Sequence, residues 1–64
     1  MPSSVIRSYR YDRARHELRI VFQSLRTYTY AEVPEATYAG LLISPSKGEF
    51  FNQHIRGKYP FTRH

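Results

Sequence analysis

At 64 residues, with a net charge of +5 and a pI near 10, the chain has room for one small domain. That length excludes a multidomain enzyme, a dinucleotide-binding or barrel fold, and a deep self-contained catalytic cleft. The charge comes from ten Lys plus Arg against five Asp plus Glu, and eight of the ten are arginines, so the surface favours nucleic acid, acidic lipid or an acidic protein partner.

Val5 to Tyr11 is rich in β-branched and aromatic residues and predicts a first strand. Asp12-Arg13-Ala14-Arg15-His16 is a polar turn. From Glu17 to Gln23, the residues Leu18, Ile20 and Phe22 alternate with Arg19, Val21 and Gln23, the period of a half-buried strand. After a short break at Ser24-Leu25, Arg26 to Val33 predicts a third strand, with Tyr28 and Tyr30 on one parity. Connections this short make the neighbours antiparallel, because a parallel return needs a crossover of about a dozen residues.

The turn between the second and third strands decides where the tyrosines go. A two-residue turn at Ser24-Leu25 pairs Val21 with Tyr28 and puts both tyrosines opposite Leu18, Ile20 and Phe22. A three-residue loop with a bulge pairs Ile20 with Tyr28 and Leu18 with Tyr30, and puts them in the core, since a one-residue slip flips every side chain. Aliphatic residues are scarce, which favours the core placement. Either turn ordinarily wants Gly or Asn at positive φ, and Leu25 is a poor residue for it.

The second half changes period. Pro34 suits the first helical position, and Glu32 and Glu35 place negative charge near that N-terminus. Tyr38, Leu41 and Leu42 then share a helical face. Ser44-Pro45 interrupts the helix. Ser46-Lys47-Gly48-Glu49 has the form of a capping box opening a second short helix with Phe51 and Ile55 on one face, and Gly57 suits the C′ position that ends it. Tyr59 to His64 reads as a basic, aromatic tail. The predicted fold is α+β: a three-stranded antiparallel meander followed by two short helices packed on one face. It forms a single domain over 1–64, with a core over roughly 4–59 and a tail at 60–64.

The chain has no cysteine, which removes disulfides, thiolate metal sites and Cys nucleophiles. Met1 to Arg7 holds no apolar run of signal-peptide length, and no stretch is long enough to span a membrane, so the expected location is cytoplasmic. His16, His54 and His64 have no partner at zinc-ligand spacing. The five acids lie near turns or helix starts and form no catalytic pair. The chain is expected to be no enzyme and to need no metal or cofactor.

The residues that do suggest chemistry are basic and aromatic. Tyr28 and Tyr30 either stack bases, as aromatics on open sheets do, or belong to the core with their hydroxyls at its rim. Arg19 and Arg26, with Arg10 nearby, fit an open sheet face, where they either meet phosphates or simply keep the protein soluble. Lys47, Arg56 and Lys58 form a second basic zone near the C-terminal end. Ser46-Lys47-Gly48 lacks the glycine spacing of a phosphate-binding loop, and a capping box accounts for it.

Taken in order, Ile6, Tyr11-Asp12, Leu18-x-x-x-Phe22, Tyr28-x-Tyr30, Val33-Pro34, Ser46-x-Gly48, Phe51-Asn52 and Ile55-Arg56 resemble the KTSC domain. That family takes its name from the C-terminal segment of some lysyl-tRNA synthetases and also occurs as stand-alone bacterial proteins. The resemblance covers roughly Ser4 to Tyr59, and Leu25 departs from it where the pattern prefers Gly. It implies no established activity, and RNA binding follows only from the synthetase association. The leading expectation is a small basic module binding tRNA-like or single-stranded RNA through Arg10, Arg19, Arg26, Tyr28, Tyr30, Lys47, Arg56 and Lys58. The alternative is a protein-interaction module, a monomer or weak homodimer, that uses an exposed sheet edge.

Overall fold

The computed structural model describes residues 6–64. Six elements follow in order: β1 (Ile6–Asp12), β2 (Glu17–Phe22), β3 (Thr27–Tyr30), α1 (Glu35–Ile43), α2 (Lys47–His54) and β4 (Phe61–Arg63). The strands form one antiparallel sheet in the order β1-β2-β3-β4. Val5 and Ser4, included in the expected first strand and core, lie outside the described residues.

The sheet thus has four strands, not three. The segment read as a tail pairs with β3, placing Tyr28 opposite Arg63 and Tyr30 opposite Phe61. Alternation of Phe61, Thr62 and Arg63 is the signal for it, but three residues after a proline are too few for periodicity to stand out. Hydrogen bonds from Ala31 N to Pro60 O at 2.8 Å and from His64 N to Thr27 O at 2.9 Å close the ladder at both ends. Because β4 lies along β3, the edge that the interaction alternative needed there is occupied. The other outer strand, β1, shifts register between Ile6 and Ser8, an irregularity that interrupts a regular template for strand addition.

The β2–β3 register is that of the three-residue loop: Leu18 faces Tyr30 and Ile20 faces Tyr28. Phe22 N donates to Arg26 O at 2.9 Å, and Leu25 N donates to Phe22 O at 2.8 Å. Leu25 takes the left-handed position at φ 69°, where a Cβ is unfavourable, and it is 68% exposed, so no packing offsets the strain. The β1–β2 turn is built differently. The Asp12 carboxylate accepts from the backbone N–H of Ala14 and of Arg15, and His16 takes the left-handed position at φ 56°.

Both helices lie on the face of Leu18, Ile20 and Tyr30. The buried core is those three with Val33, Leu41, Phe51 and Ile55. Phe22, expected in the core, is only partly buried and packs at its margin. Pro34 is the residue before the helix rather than its first turn: it is extended (ψ 154°), and its carbonyl accepts from Thr37 N and Tyr38 N. Leu41 is buried and Tyr38 half-buried, but Leu42 is 44% exposed. One residue is 100° of helical rotation, which carries Leu42 out of a contact centred on Tyr38 and Leu41. Ser46 caps α2 as the box predicts, its hydroxyl accepting from Glu49 N at 3.4 Å. Ile55 is the C-cap, so Gly57, at φ 74°, stands one residue beyond the expected C′ position. Gly40 is where the helices approach closely: a Cβ there would stand 2.7 Å from the Phe50 ring.

Candidate nucleic-acid interface

The register that buries Tyr30 also decides where Arg26 points. Paired with Phe22, Arg26 shares the helix-bearing side of the sheet and not the open face expected for it. It stands at the rim of a groove of about 680 Å³ between the β2–β3 hairpin, the C-terminal end of α2 and β4. The walls are aromatic: Phe22, Tyr28, Tyr30, Phe51 and Phe61. Arg56 is on the helix side, Gln23 and Asn52 add side-chain amides, and no lining residue is acidic. Beyond Arg26 and Tyr28 lies a smaller hollow of about 310 Å³ bordered by Thr27, Arg63 and His64.

The rings are ordered. Tyr28 and Tyr30 are nearly parallel, with centroids 6.2 Å apart and 15° between the ring planes. Phe51 meets Tyr30 edge-on at 5.5 Å, and Phe22 meets both Tyr28 and Phe51 edge-on, at 5.4 and 5.3 Å. Phe61 leans across the two tyrosines at 5.4 and 5.5 Å, tilted about 40° to each, and stays 52% exposed. Tyr30 is therefore the floor of the groove, 4% exposed, while Tyr28 is half-buried and Phe61 is a free-standing wall. Burial, and secondarily the neighbouring Tyr28, raises the Tyr30 hydroxyl above its ordinary pKa, with the Arg56 guanidinium pulling the other way. Arg56 Nη1 donates to Asn52 Oδ1 at 3.5 Å, one helical turn back.

The remaining basic residues separate. Arg10 and Arg19 face each other across β1 and β2 on the face without helices, both exposed. Asp12 and Glu17 form the next outward-facing pair on the same strands. Each arginine is thus diagonal to a carboxylate, which offsets part of the positive charge of that face. Lys47 Nζ lies 3.3 Å from Ser44 O and 3.5 Å from Leu42 O, donating to carbonyls at the end of α1. Lys58 is exposed in the turn after α2. Of the eight residues singled out in the sequence, the fold gathers Arg26, Tyr28, Tyr30 and Arg56 in the groove, pairs Arg10 with Arg19 on the opposite face, and leaves Lys47 and Lys58 apart from both. Sequence reasoning missed Phe22, Phe51, Phe61, Gln23 and Asn52 as lining residues. The spacing of Asn52, in the last turn of α2, and Arg56, just past its C-cap, was a readable signal. Phe61 gave none without β4.

A family model for the KTSC domain matches residues 2–59. The chain belongs to the KTSC domain family. The crystal structure of a KTSC domain protein from Yersinia pestis superposes with a TM-score of 0.90 at 35% identity, covering 100% of this chain and 93% of that one. β4, beyond the family-model match, is thus inside the structural one. This KTSC chain is also 40% identical over 60 residues to a lysine–tRNA ligase of Nostoc punctiforme, and 36% identical over 60 residues to one of Trichormus variabilis. The matches cover 94% of this chain but 11% of each ligase, so the domain corresponds to a small part of those relatives. Among the described residues, no helix is long and apolar enough to cross a membrane.

Proposed function

We propose that this KTSC domain is a small basic module that binds RNA. The observation that carries the reading is the convergence of Arg26, Tyr28, Tyr30 and Arg56 in one groove that has no acidic lining residue. Arginine forks pair with phosphate, and aromatic walls offer stacking surfaces, the combination used by modules that hold nucleic acid. Relatives named as lysine–tRNA ligases make RNA, rather than DNA, the partner to test first.

A labelled single-stranded RNA titrated at two salt concentrations tests the reading. Binding in the micromolar range at low salt is expected, weakening steeply as salt rises because phosphate contacts release counterions. Arg26→Ala and Arg56→Ala should each weaken binding and lower the salt slope by about 0.7, the value for one phosphate contact on a single strand. Arg19→Ala, on the opposite face with its charge offset, serves as the control with a smaller effect. Absence of binding at low salt overturns the reading.

A further inference from the structure

We infer that the groove is a site for one unpaired nucleotide, its base stacked on the exposed ring of Phe61 beside Tyr28 and its flanking phosphates on Arg26 and Arg56. The inference rests on the RNA-binding reading and narrows its substrate to single strands with an accessible base.

Size is the first argument. About 680 Å³ falls in the range of pockets for small molecules, enough for a nucleotide and not for a duplex. A-form duplexes keep their base faces stacked inside and present only edges and backbone, which aromatic walls cannot grip.

Ring geometry is the second. Tyr30 is buried and Phe61 already meets it and Tyr28 at 5.5 and 5.4 Å, so no base enters between them; the ring surface left to the groove is that of the half-exposed Phe61 and the half-buried Tyr28. A flat heterocycle laid on that surface gains stacking area that the protein leaves uncovered. Phe61 stands on the three-residue strand β4, all of it exposed, so its ring is reached from the groove without moving the core.

Charge and polarity are the third. Arg26 and Arg56 border the groove, and the adjoining hollow adds Arg63 without adding an acid, so a chain leaving the groove past Tyr28 keeps cationic company. The Gln23 and Asn52 amides each carry donors and an acceptor, the groups needed to read a base edge.

The test uses the full chain and three labelled probes at low salt: a single-stranded RNA of about ten nucleotides, the same backbone without bases, and the RNA annealed to its complement. The intact single strand should bind roughly tenfold tighter than either of the others. Phe61→Ala should remove most of that advantage while leaving affinity for the abasic strand unchanged, with melting recorded to confirm the fold. Gln23→Ala, at an exposed position with no tie to Arg56, should alter preference among the four bases. Abasic or duplex RNA bound as tightly as the intact strand overturns the groove as a base site and leaves the RNA-binding reading standing. No binding of any probe overturns both and hands the groove to an apolar protein segment.

Discussion

Two aromatic clusters lie on the same side of the sheet, and they end differently. Near β1, Tyr11 stacks on Tyr38 at 4.5 Å and 15°, and Tyr9 meets Tyr38 edge-on at 6.3 Å. That cluster is covered by α1, and the Tyr11 hydroxyl donates to the Val33 carbonyl. Near β3, five rings of similar composition surround a groove instead. The difference lies in what covers them. α1 supplies Tyr38 as a lid, while α2 presents Phe51 and then Asn52 and Arg56 at its end, polar groups that border the rings without closing over them. The tyrosines under α1 thus stay partly buried with their faces satisfied by one another, while the groove's rings run from the buried Tyr30 and Phe51 to the half-exposed Phe61, and composition alone does not distinguish the two.

The largest expected effect breaks the simple form of this contrast. Tyr30 belongs to the open cluster yet is buried, so Tyr30→Ala should cost about 3–5 kcal/mol and leave so small a domain mostly unfolded, read as loss of a cooperative melt. Phe61→Ala, in the same cluster, should shift the melt far less, because the ring is half-exposed and its strand is short. A folded Tyr30→Ala protein would show that the floor of the groove is dispensable. In the cluster under α1, Tyr11→Phe keeps the stacked ring and deletes only the bond to the Val33 carbonyl. The expected loss is about 1 kcal/mol by denaturant titration, and no loss at all would mean that stacking alone seals that end.

Alkaline titration sharpens the comparison further. Burial first, and then Tyr28, holds the Tyr30 hydroxyl above its ordinary value of 10.0. Burial, followed by the Glu35 carboxylate, raises Tyr11 as well. A raised phenol pKa means that the folded state prefers the neutral form. The associated stability is complete below pH 10.0 and is lost as pH climbs through the folded-state values. Melting temperature should fall in that window, and Tyr30→Phe should flatten the fall. An unchanged pH profile in Tyr30→Phe would assign the effect to Tyr11. The smallest effect lies outside both clusters. Leu25→Gly relieves a left-handed residue at φ 69° and should raise stability by about 0.5–1 kcal/mol, the reverse of most substitutions.

These contrasts also mark how far the sequence could be read. The alternation around Leu18 and Ile20, the Ser46 cap and the break at Ser44-Pro45 are local signals, and each appears in the fold where its spacing places it. The loop at Leu25 was legible as two alternatives, and the shortage of aliphatic residues pointed to the right one. Its second consequence, that Arg26 turns to the helix side with Phe22, follows from the same register. β4 was hidden because pairing with β3 is a nonlocal event that leaves almost no trace in three residues. The groove was hidden with it, since one wall belongs to that strand. Arg10 and Arg19 were placed correctly on the bare face. What sequence could not supply was their diagonal relation to Glu17 and Asp12, which depends on the β1–β2 register.

The bond between Ala31 N and Pro60 O, at 2.8 Å, closes the long excursion that carries both helices. Bringing together ends separated by some thirty residues costs about 3 kcal/mol in a flexible chain, and docked helices remove much of that cost beforehand. The terminal strand thus clips onto a loop whose ends the docked helices hold close. That clip is also the one with least to hold it, so Phe61–Arg63 should exchange amide protons sooner than β2 does. Whatever presses on Phe61 from the groove side then reports on that exchange, because occupancy and docking of the strand are two faces of a single equilibrium.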